Sequence, residues 1–220
     1  ACGPGFSGGL LILFGLVSVV LATPFILAQR DFKRLLGYHS VEHVGIIALG
    51  LGFGGRIGTY AALLHAINHG VTKALVFFVA GDAIHRYRTR DMHAIRGLLR
   101  AAPWAGTFLL LGAFSLAGTP PFSIFVSELL VLRAGIAGGH PVAVALFLVA
   151  VVVIFAGLIH HAGHMAYGEA GADVERKRES AAAVLAMLLL AAVMVLFGLF
   201  IPLDLDDMLA RATEVVLGRP

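Results

Sequence analysis

Three ionisable side chains on one helical face are the first residues whose types and spacing could do chemistry. His65, His69 and Lys73 follow one another at i, i+4 and i+8 in the apolar stretch AALLHAINHGVTKALVFFVA. On a helix of about 3.6 residues per turn they share one face over about 12 Å. A lysine in hydrocarbon costs roughly 2.5–3.5 kcal/mol on insertion scales. The pattern indicates proton-accepting groups inside a helix bundle. The simpler alternative is two hydrogen-bonded core histidines and a lysine that reaches the nearer interface.

A second ionisable group lies in the preceding apolar stretch. The segment LLGYHSVEHVGIIALGLG places His39, Glu42 and His43 within one turn of a helix. With a rise of about 1.5 Å per residue, Glu42 lies about 13 Å along the helix from Lys33, near the middle of a membrane.

Two prolines interrupt a later pair of apolar stretches. Pro120 and Pro121 follow Gly118 and precede FSIFVSELLVLRAG. They cannot continue a helix, and backbone that is freed at membrane depth is tolerated only beside protein or water. Glu128 lies two turns into the following helix and is predicted to point into the space that the break encloses.

The elements that must position these residues are membrane spans. The 220 residues are 59% hydrophobic and 13% charged, with a mean hydropathy of +0.93. A soluble domain carries about twice that share of charge. The small net charge of +3, with basic residues between the apolar stretches, argues against a nucleic-acid partner. Cys2 is the only cysteine, which excludes an intrachain disulfide and a thiolate metal site.

The sequence therefore predicts an all-α polytopic membrane protein with about seven transmembrane helices and one Pro-broken helix. Residues 1–203 are predicted to form the transmembrane bundle, and residues 204–220 a C-terminal interfacial amphipathic helix. The predicted spans cover residues 8–29, 35–52, 61–85, 104–117, 122–135, 141–166 and 181–201. From Met92, the loop between the third and fourth spans predicts a short interfacial helix. Ionisable groups concentrate in the second, third and fifth spans, which is typical of an ion path.

Four stretches in this order resemble the antiporter-like membrane subunits. They are DFKRLLGYHSVEHVGIIALGLG, LLHAINHGVTKALVFFVAG, RYRTRDMHAIRGLL and GTPPFSIFVSELLVL. That superfamily includes the proton-pumping subunits of respiratory complex I, the multisubunit sodium/proton antiporters and membrane-bound hydrogenases. The stretches SVEHVG, NHGVTKALVFF and PPFSIFVSE are most similar to its hydrogenase-4 component F members. The resemblance covers about residues 8 to 205.

The resemblance implies a fold of about fourteen spans, built from two inverted five-helix repeats that each contain a broken helix. This sequence would hold the second repeat and the last spans, and so would lack one of the two half-channels of the family. Its start, ACGPGFSGG, has no methionine and no basic segment typical of a signal peptide. We therefore expect the sequence to be a piece of a longer chain.

Residue by residue, the resemblance implies roles in proton translocation. Lys33 matches the lysine at the start of the span after the symmetry break. His65 and His69 match the histidines of the central water path, and Lys73 matches the central lysine of the second half-channel. Glu128 matches the terminal ionisable residue of the broken helix, which is lysine in some relatives.

Glu42 and His43 are added to this set from their position and from their likeness to hydrogenase-type members. The sequence predicts no catalytic residue, no bound metal and no cofactor in this chain.

These features predict a proton-translocating membrane subunit of a redox-driven complex, either a hydrogenase-4/formate hydrogenlyase or a complex I-like enzyme. Protons would move through a Lys/His/Glu relay in the membrane plane. The alternative is a sodium/proton antiporter module without a redox partner. A haem- or metal-binding protein is disfavoured because no cysteine or carboxylate lies at ligand spacing beside the histidines. A purely structural anchor is disfavoured by the cost of buried charge.

The expected partners are other membrane subunits, a peripheral hydrogenase or quinone oxidoreductase arm, and the lipid bilayer of a prokaryotic plasma membrane. Lysine and arginine in short loops predict that RYRTRD faces the cytoplasm. The resemblance implies the opposite face for that loop. The basic run ERKRE is expected at the other end of the bundle from RYRTRD.

Overall fold

The computed structural model describes residues 4–171, 174 and 178–218, with residues 4–6 described as backbone only. The helices are α1 (Pro4–Leu27), α2 (Phe32–Phe53), α3 (Gly55–Tyr87), α4 (Leu98–Ala101), α5 (Pro103–Leu116), α6 (Ser123–Ala137), α7 (Pro141–Ala166), α8 (Ala181–Leu199) and α9 (Leu203–Val216). Of these, α1, α3, α7 and α8 are long and apolar enough to cross a membrane, and α5 is a shorter apolar helix. The all-helical membrane fold predicted from the sequence is confirmed.

Small residues let α1 and α2 pack closely. A Cβ atom on Gly15 would lie 2.8 Å from the carbonyl oxygen of Gly45, and one on Gly45 would lie 2.8 Å from that of Gly15. Residues without side chains allow helix backbones to approach this closely in a membrane bundle. The Asp31 carboxylate caps the start of α2 by accepting a hydrogen bond from the Arg34 backbone N–H at 3.0 Å.

The broken helix consists of α5 and α6, which lie end to end along one side of α3. The residue pairs along α3 are Thr72 with Ser115, Asn68 with Ser123, His65 with Ser127 and Gly58 with Ala134. As the numbers in α5 and α6 rise, those in α3 fall, so the two halves run antiparallel to α3. Between the halves lie Gly118, with φ of 63°, and a cis bond between Pro120 and Pro121.

The loop after α3 differs from its prediction. The interfacial helix predicted from Met92 is wrong, because the only helix in this loop is the four-residue α4. Met92 and Ile95 are buried in the core and do not lie at the interface. The backbone here pairs with the α1–α2 connection, since the Met92 N–H donates to the Arg30 carbonyl at 2.8 Å.

The turn between α2 and α3 is shorter than predicted. Gly54, with φ of 70°, is the one residue between the two helices. Glycine adopts a positive φ at little cost, so the chain can reverse here within a single residue. As a result α3 has 33 residues and begins before the predicted residue 61.

The C-terminal helix α9 lies against the first turns of α3. The Tyr60 hydroxyl donates to the Asp206 carboxylate at 2.5 Å, and Arg56 pairs with Glu214 at 3.0 Å. Leu209, a residue of α9, is buried. The position of α9 on a membrane surface, and the division of the chain after residue 203, stay predictions.

Basic residues gather at one end of the bundle, where α1, α3 and α7 end and α2, α5 and α8 begin. Contacts join these ends: the Phe32 N–H donates to the Arg90 carbonyl, and the Trp104 N–H donates to the Glu179 carboxylate. The described basic residues here are Arg30, Lys33, Arg34, Arg86, Arg88, Arg90, Arg96, Arg100 and Arg178. Those at the other end are Arg56, Arg133 and Arg211.

The expected place of the ERKRE run is therefore wrong for its described part, Arg178 and Glu179. These residues lie at the same end as RYRTRD, because α8 begins beside the start of α5. Residues 175–177 lie outside the described residues.

Candidate functional site

Helix α2 supplies a buried acid and two buried histidines. His39, Glu42 and His43 are all less than 3% exposed. His39 Nδ1 lies 2.8 Å from Glu42 Oε2, one turn away on the same helix. An imidazole and a carboxyl group at this distance are within reach of direct proton exchange.

Helix α3 turns its predicted face towards α2. His65 Nε2 lies 2.9 Å from His43 Nδ1, and the rings of His69 and His43 are 4.4 Å apart. Lys73 is buried, and its amine donates to the Leu36 carbonyl of α2 at 2.5 Å. The amine of Lys73 is thus held between two helices. His69 is half-buried.

Helix α6 adds the second acid. Glu128 is buried, and a Cβ atom on Gly118 would overlap its carboxylate, so this side chain lies directly over the break. Ser127 Oγ lies 2.9 Å from His65 Nδ1. Side-chain ligand atoms of His43, His65 and Glu128 all lie within 4.8 Å of one another. The break therefore leaves room for a carboxylate that meets the histidines of α2 and α3.

Together these groups form a buried polar line across three helices, from Lys73 through Glu42, His43 and His65 to Glu128. Both Lys73 and Glu128 interact electrostatically with Glu42. Charged groups in a low-dielectric interior influence one another strongly, so their protonation states are coupled. A proton bound at one point of the line changes the free energy of binding a proton at the next.

His43 and Glu42 are more central than the sequence indicated. His43 contacts His65 and His69, and its ring centroid lies 6.3 Å from that of His39. The sequence showed that Glu42 and His43 are close together on α2. It did not show which residues of α3 and α6 they meet, because that depends on how the helices pack.

Lys33 is not brought into this line. It is exposed in the first turn of α2, at the basic end of the bundle. Its part in proton translocation stays a prediction that rests on the resemblance alone.

A set of neutral polar residues beside the line is not among the residues predicted from the sequence. Asn68 donates to the Ser123 carbonyl at 2.8 Å, and Thr72 Oγ1 lies 3.2 Å from Ser115 Oγ. A signal was present, because Asn68 and Thr72 follow His65 at i+3 and i+7 and so share its face.

Several buried polar atoms in this region have no hydrogen-bond partner within the described part of the chain. They are His39 Nε2, His43 Nε2, Asn68 Oδ1, His69 Nδ1 and Ser123 Oγ. Buried polar groups of this kind are commonly satisfied by water, with one molecule bridging two to four of them.

Two overlapping sets of side chains have the composition of a metal site. They are His39, Glu42 and His43, and His43, His65 and Glu128. The sequence offered no carboxylate at ligand spacing beside the α3 histidines, but the fold supplies Glu128 from α6. The expectation that the chain binds no metal stays a prediction.

The family model described as "NADH:quinone oxidoreductase/Mrp antiporter, TM" matches residues 6–155. The "Hydrogenase-4 component F homolog" of Methylacidiphilum infernorum is 36% identical over 167 residues, which are 76% of this chain and 35% of that protein. A Na(+)/H(+) antiporter protein of Alkalihalophilus pseudofirmus is 30% identical over 156 residues, 71% of this chain and 30% of the relative.

A solved structure, respiratory complex I from Thermus thermophilus with bound NADH, contains a chain of the same fold. The TM-score is 0.86 at 28% identity, and the match covers 97% of this chain and 45% of the other. This chain spans about a third of the length of the curated relatives it matches. The resemblance inferred from the sequence is confirmed. The chain is an integral membrane protein that belongs to the NADH:quinone oxidoreductase/Mrp antiporter transmembrane family.

Proposed function

We propose that this chain is the proton-translocating part of a membrane subunit in a redox-driven complex. The observation that carries the proposal is the buried polar line, in which Lys73, Glu42, His43, His65 and Glu128 come together from α2, α3 and α6. Buried ionisable groups are costly in a membrane protein, and groups that face one another in the bundle interior are typical of ion pathways.

His65 is the group that connects the two sides of the line. Its Nε2 faces His43 on α2, and its Nδ1 faces Ser127 on α6. An imidazole can accept a proton at one nitrogen and release one from the other. His65 can thus pass a proton between the α2 groups and the region of Glu128. The unpartnered nitrogens of His43 and His69 are positioned to hydrogen-bond water, which would extend this connection.

The relatives support a setting in a larger assembly. We infer that the chain works beside other membrane subunits and a peripheral hydrogenase or quinone oxidoreductase arm, in the plasma membrane of a prokaryote. Basic residues concentrate at the end that carries the RYRTRD loop, which favours placing this end in the cytoplasm.

The second candidate is a sodium/proton antiporter module without a redox partner. The observation in its favour is the 30% identity to the Na(+)/H(+) antiporter protein of Alkalihalophilus pseudofirmus. The buried line serves either function, because both require proton binding and release inside the bundle.

The test uses the intact complex reconstituted in vesicles. We expect redox turnover to drive proton movement that does not depend on sodium. Proton movement driven by a sodium gradient in the absence of any redox substrate would favour the antiporter instead. Metal analysis of the same preparation is expected to find no metal that depends on His43.

A further inference from the structure

One cavity lies at the basic end of the bundle, outside the buried line. It is a groove of about 600 Å³ between the start of α5 and the start of α8. The side chains that matter here are Arg100, Trp104, Arg178, Val184, Leu185 and Leu188. The groove therefore combines two guanidinium groups with an aromatic and aliphatic wall.

The acid in the groove is already engaged. Glu179 accepts hydrogen bonds from the backbone N–H groups of Trp104 at 3.1 Å and Ala105 at 2.8 Å. These donors are the free N–H groups at the start of α5, where a carboxylate is stabilised by the helix dipole. Since Glu179 is satisfied there, it competes little for the two arginines.

The arginines themselves are weakly held. Arg100 lies 3.9 Å from Glu169, and both side chains are more than 70% exposed, a geometry that contributes little free energy. Arg178 is exposed, and the described residues provide no ion pair for it. Both guanidinium groups are thus available to an anion from outside the chain.

The apolar side of the groove continues from Arg100 and Arg178 along α8, which is long and apolar enough to cross a membrane. Among the residues of α8 only Met187 and Met194 are buried, and Leu185 is 57% exposed. Trp104 is exposed at the start of α5, the position at which tryptophan lies in an aromatic belt. A ligand that fills the groove must place an anionic group at the arginines and a hydrocarbon chain along α8.

We propose that this groove binds an acidic phospholipid. Its phosphate lies between Arg100 and Arg178, and one acyl chain runs along Val184, Leu185 and Leu188. Guanidinium groups bind phosphate through paired charge-assisted hydrogen bonds, and basic pockets between transmembrane helices bind anionic lipid head groups. The site is separate from the proton line, so it stands or falls independently of the proposed function.

The test uses the intact membrane subunit in detergent and a phosphatidylglycerol that carries a diazirine on its acyl chain. After illumination, we expect peptide mass spectrometry to find label on residues 184–188. The Arg100→Gln/Arg178→Gln variant should lose about tenfold in labelling at limiting lipid, since two phosphate contacts are removed. The matched control Arg211→Gln, an exposed arginine at the other end of the bundle, should label as the parent does.

Three results would overturn the proposal. Equal labelling by a phosphatidylcholine probe would remove the preference for an acidic lipid. Parent-level labelling of the double variant would remove the role of the arginines. Loss of label on adding millimolar inorganic phosphate would identify a site for free anions. Because both arginines are exposed, the variant is expected to fold, and its thermal midpoint checks this.

Discussion

Two helices of similar length, α2 and α8, serve opposite purposes in this bundle. Helix α8 has 19 residues, no ionisable side chain, and only Met187 and Met194 buried. Helix α2 has 22 residues, buries side chains on every turn, and includes His39, Glu42 and His43 among them. Hydropathy alone identifies α8 as a span but not α2. Of these two helices, the one that looks less like a membrane span is thus the one more enclosed by protein.

This contrast has a physical cause. A helix that faces lipid must be apolar, because each polar group exposed to hydrocarbon costs free energy. A helix that is enclosed on several sides can carry acids and bases, provided that neighbouring helices supply partners. Here α1 and α3 enclose α2, and α6 supplies Glu128 and Ser127. Substitutions of the buried polar residues in the enclosed helices should therefore alter transport, and substitutions of exposed residues on α8 should not.

The largest expected effect is that of Lys73→Ala. Removing the amine breaks the hydrogen bond to Leu36 and takes the charge away from Glu42, so proton movement should be abolished. Proton uptake in vesicles that contain the intact complex measures it. The control is Phe78→Ala, an exposed residue of the same helix, which should leave transport unchanged. Assembly of both variants is checked on native gels, and full pumping by Lys73→Ala would contradict the relay.

The next effect compares two buried histidines. His43→Phe removes the centre of the line and should stop or strongly slow transport. His161→Phe should leave transport intact, because His161 lies in α7 and contacts the Ile26 carbonyl at 3.1 Å. It should instead destabilise the protein by about 0.5–1.5 kcal/mol through loss of this hydrogen bond, since the Ile26 carbonyl still accepts from the Gln29 N–H at 3.5 Å. Thermal unfolding and proton uptake together separate the two roles, and equal transport loss in both variants would show that any buried histidine is needed for folding.

A smaller effect is expected at the break. Gly118→Ala places a methyl group on the Glu128 carboxylate at a residue with φ of 63°, so it should displace this side chain, slow transport and cost about 1–2 kcal/mol. Gly70→Ala is the matched control. A Cβ atom there meets nothing within 4 Å, and the residue is helical. Gly70→Ala should therefore be neutral or slightly stabilising, and transport by Gly118→Ala at the parent rate would mean that the break tolerates a shifted carboxylate.

The smallest effect is expected on α8. Leu189 is 60% exposed, so Leu189→Ala removes little packing within the described part of the chain. The free energy of unfolding should change by less than about 0.5 kcal/mol, with no change in proton uptake. A transport defect in this variant would show that α8 takes part in the path or contacts another protein of the complex that does.

Helical periodicity was sufficient to predict part of this site. The common face of His65, His69 and Lys73 follows from their spacing, and the break follows from the chemistry of Pro120 and Pro121. Periodicity does not indicate which helices become neighbours. The meeting of Glu128 with His43 and His65 therefore required the structure, as did the contact between Lys73 and Leu36.

Predictions from local sequence patterns were wrong or incomplete where contacts between distant parts of the chain decide the structure. Met92 and Ile95 have the spacing of an interfacial helix, but both are buried in a loop that is tied to the segment before α2 by the Met92 N–H, which donates to the Arg30 carbonyl. Ser127 is not predictable from the sequence, because a serine in an apolar helix has no distinctive pattern. Only its 2.9 Å contact with His65 reveals it.

The measurement that tests the central claim most directly is proton uptake by Glu128→Gln in vesicles energised by the redox partner. Glutamine keeps the shape of the side chain and removes the titrating proton, so the account predicts that transport stops while the complex assembles normally. Glu128→Asp should slow transport, because the acid withdraws by one methylene, and Glu128→Lys should retain part of it. Uptake by Glu128→Gln at the parent rate would contradict the account, since a proton could then not be passing through the carboxylate at the break.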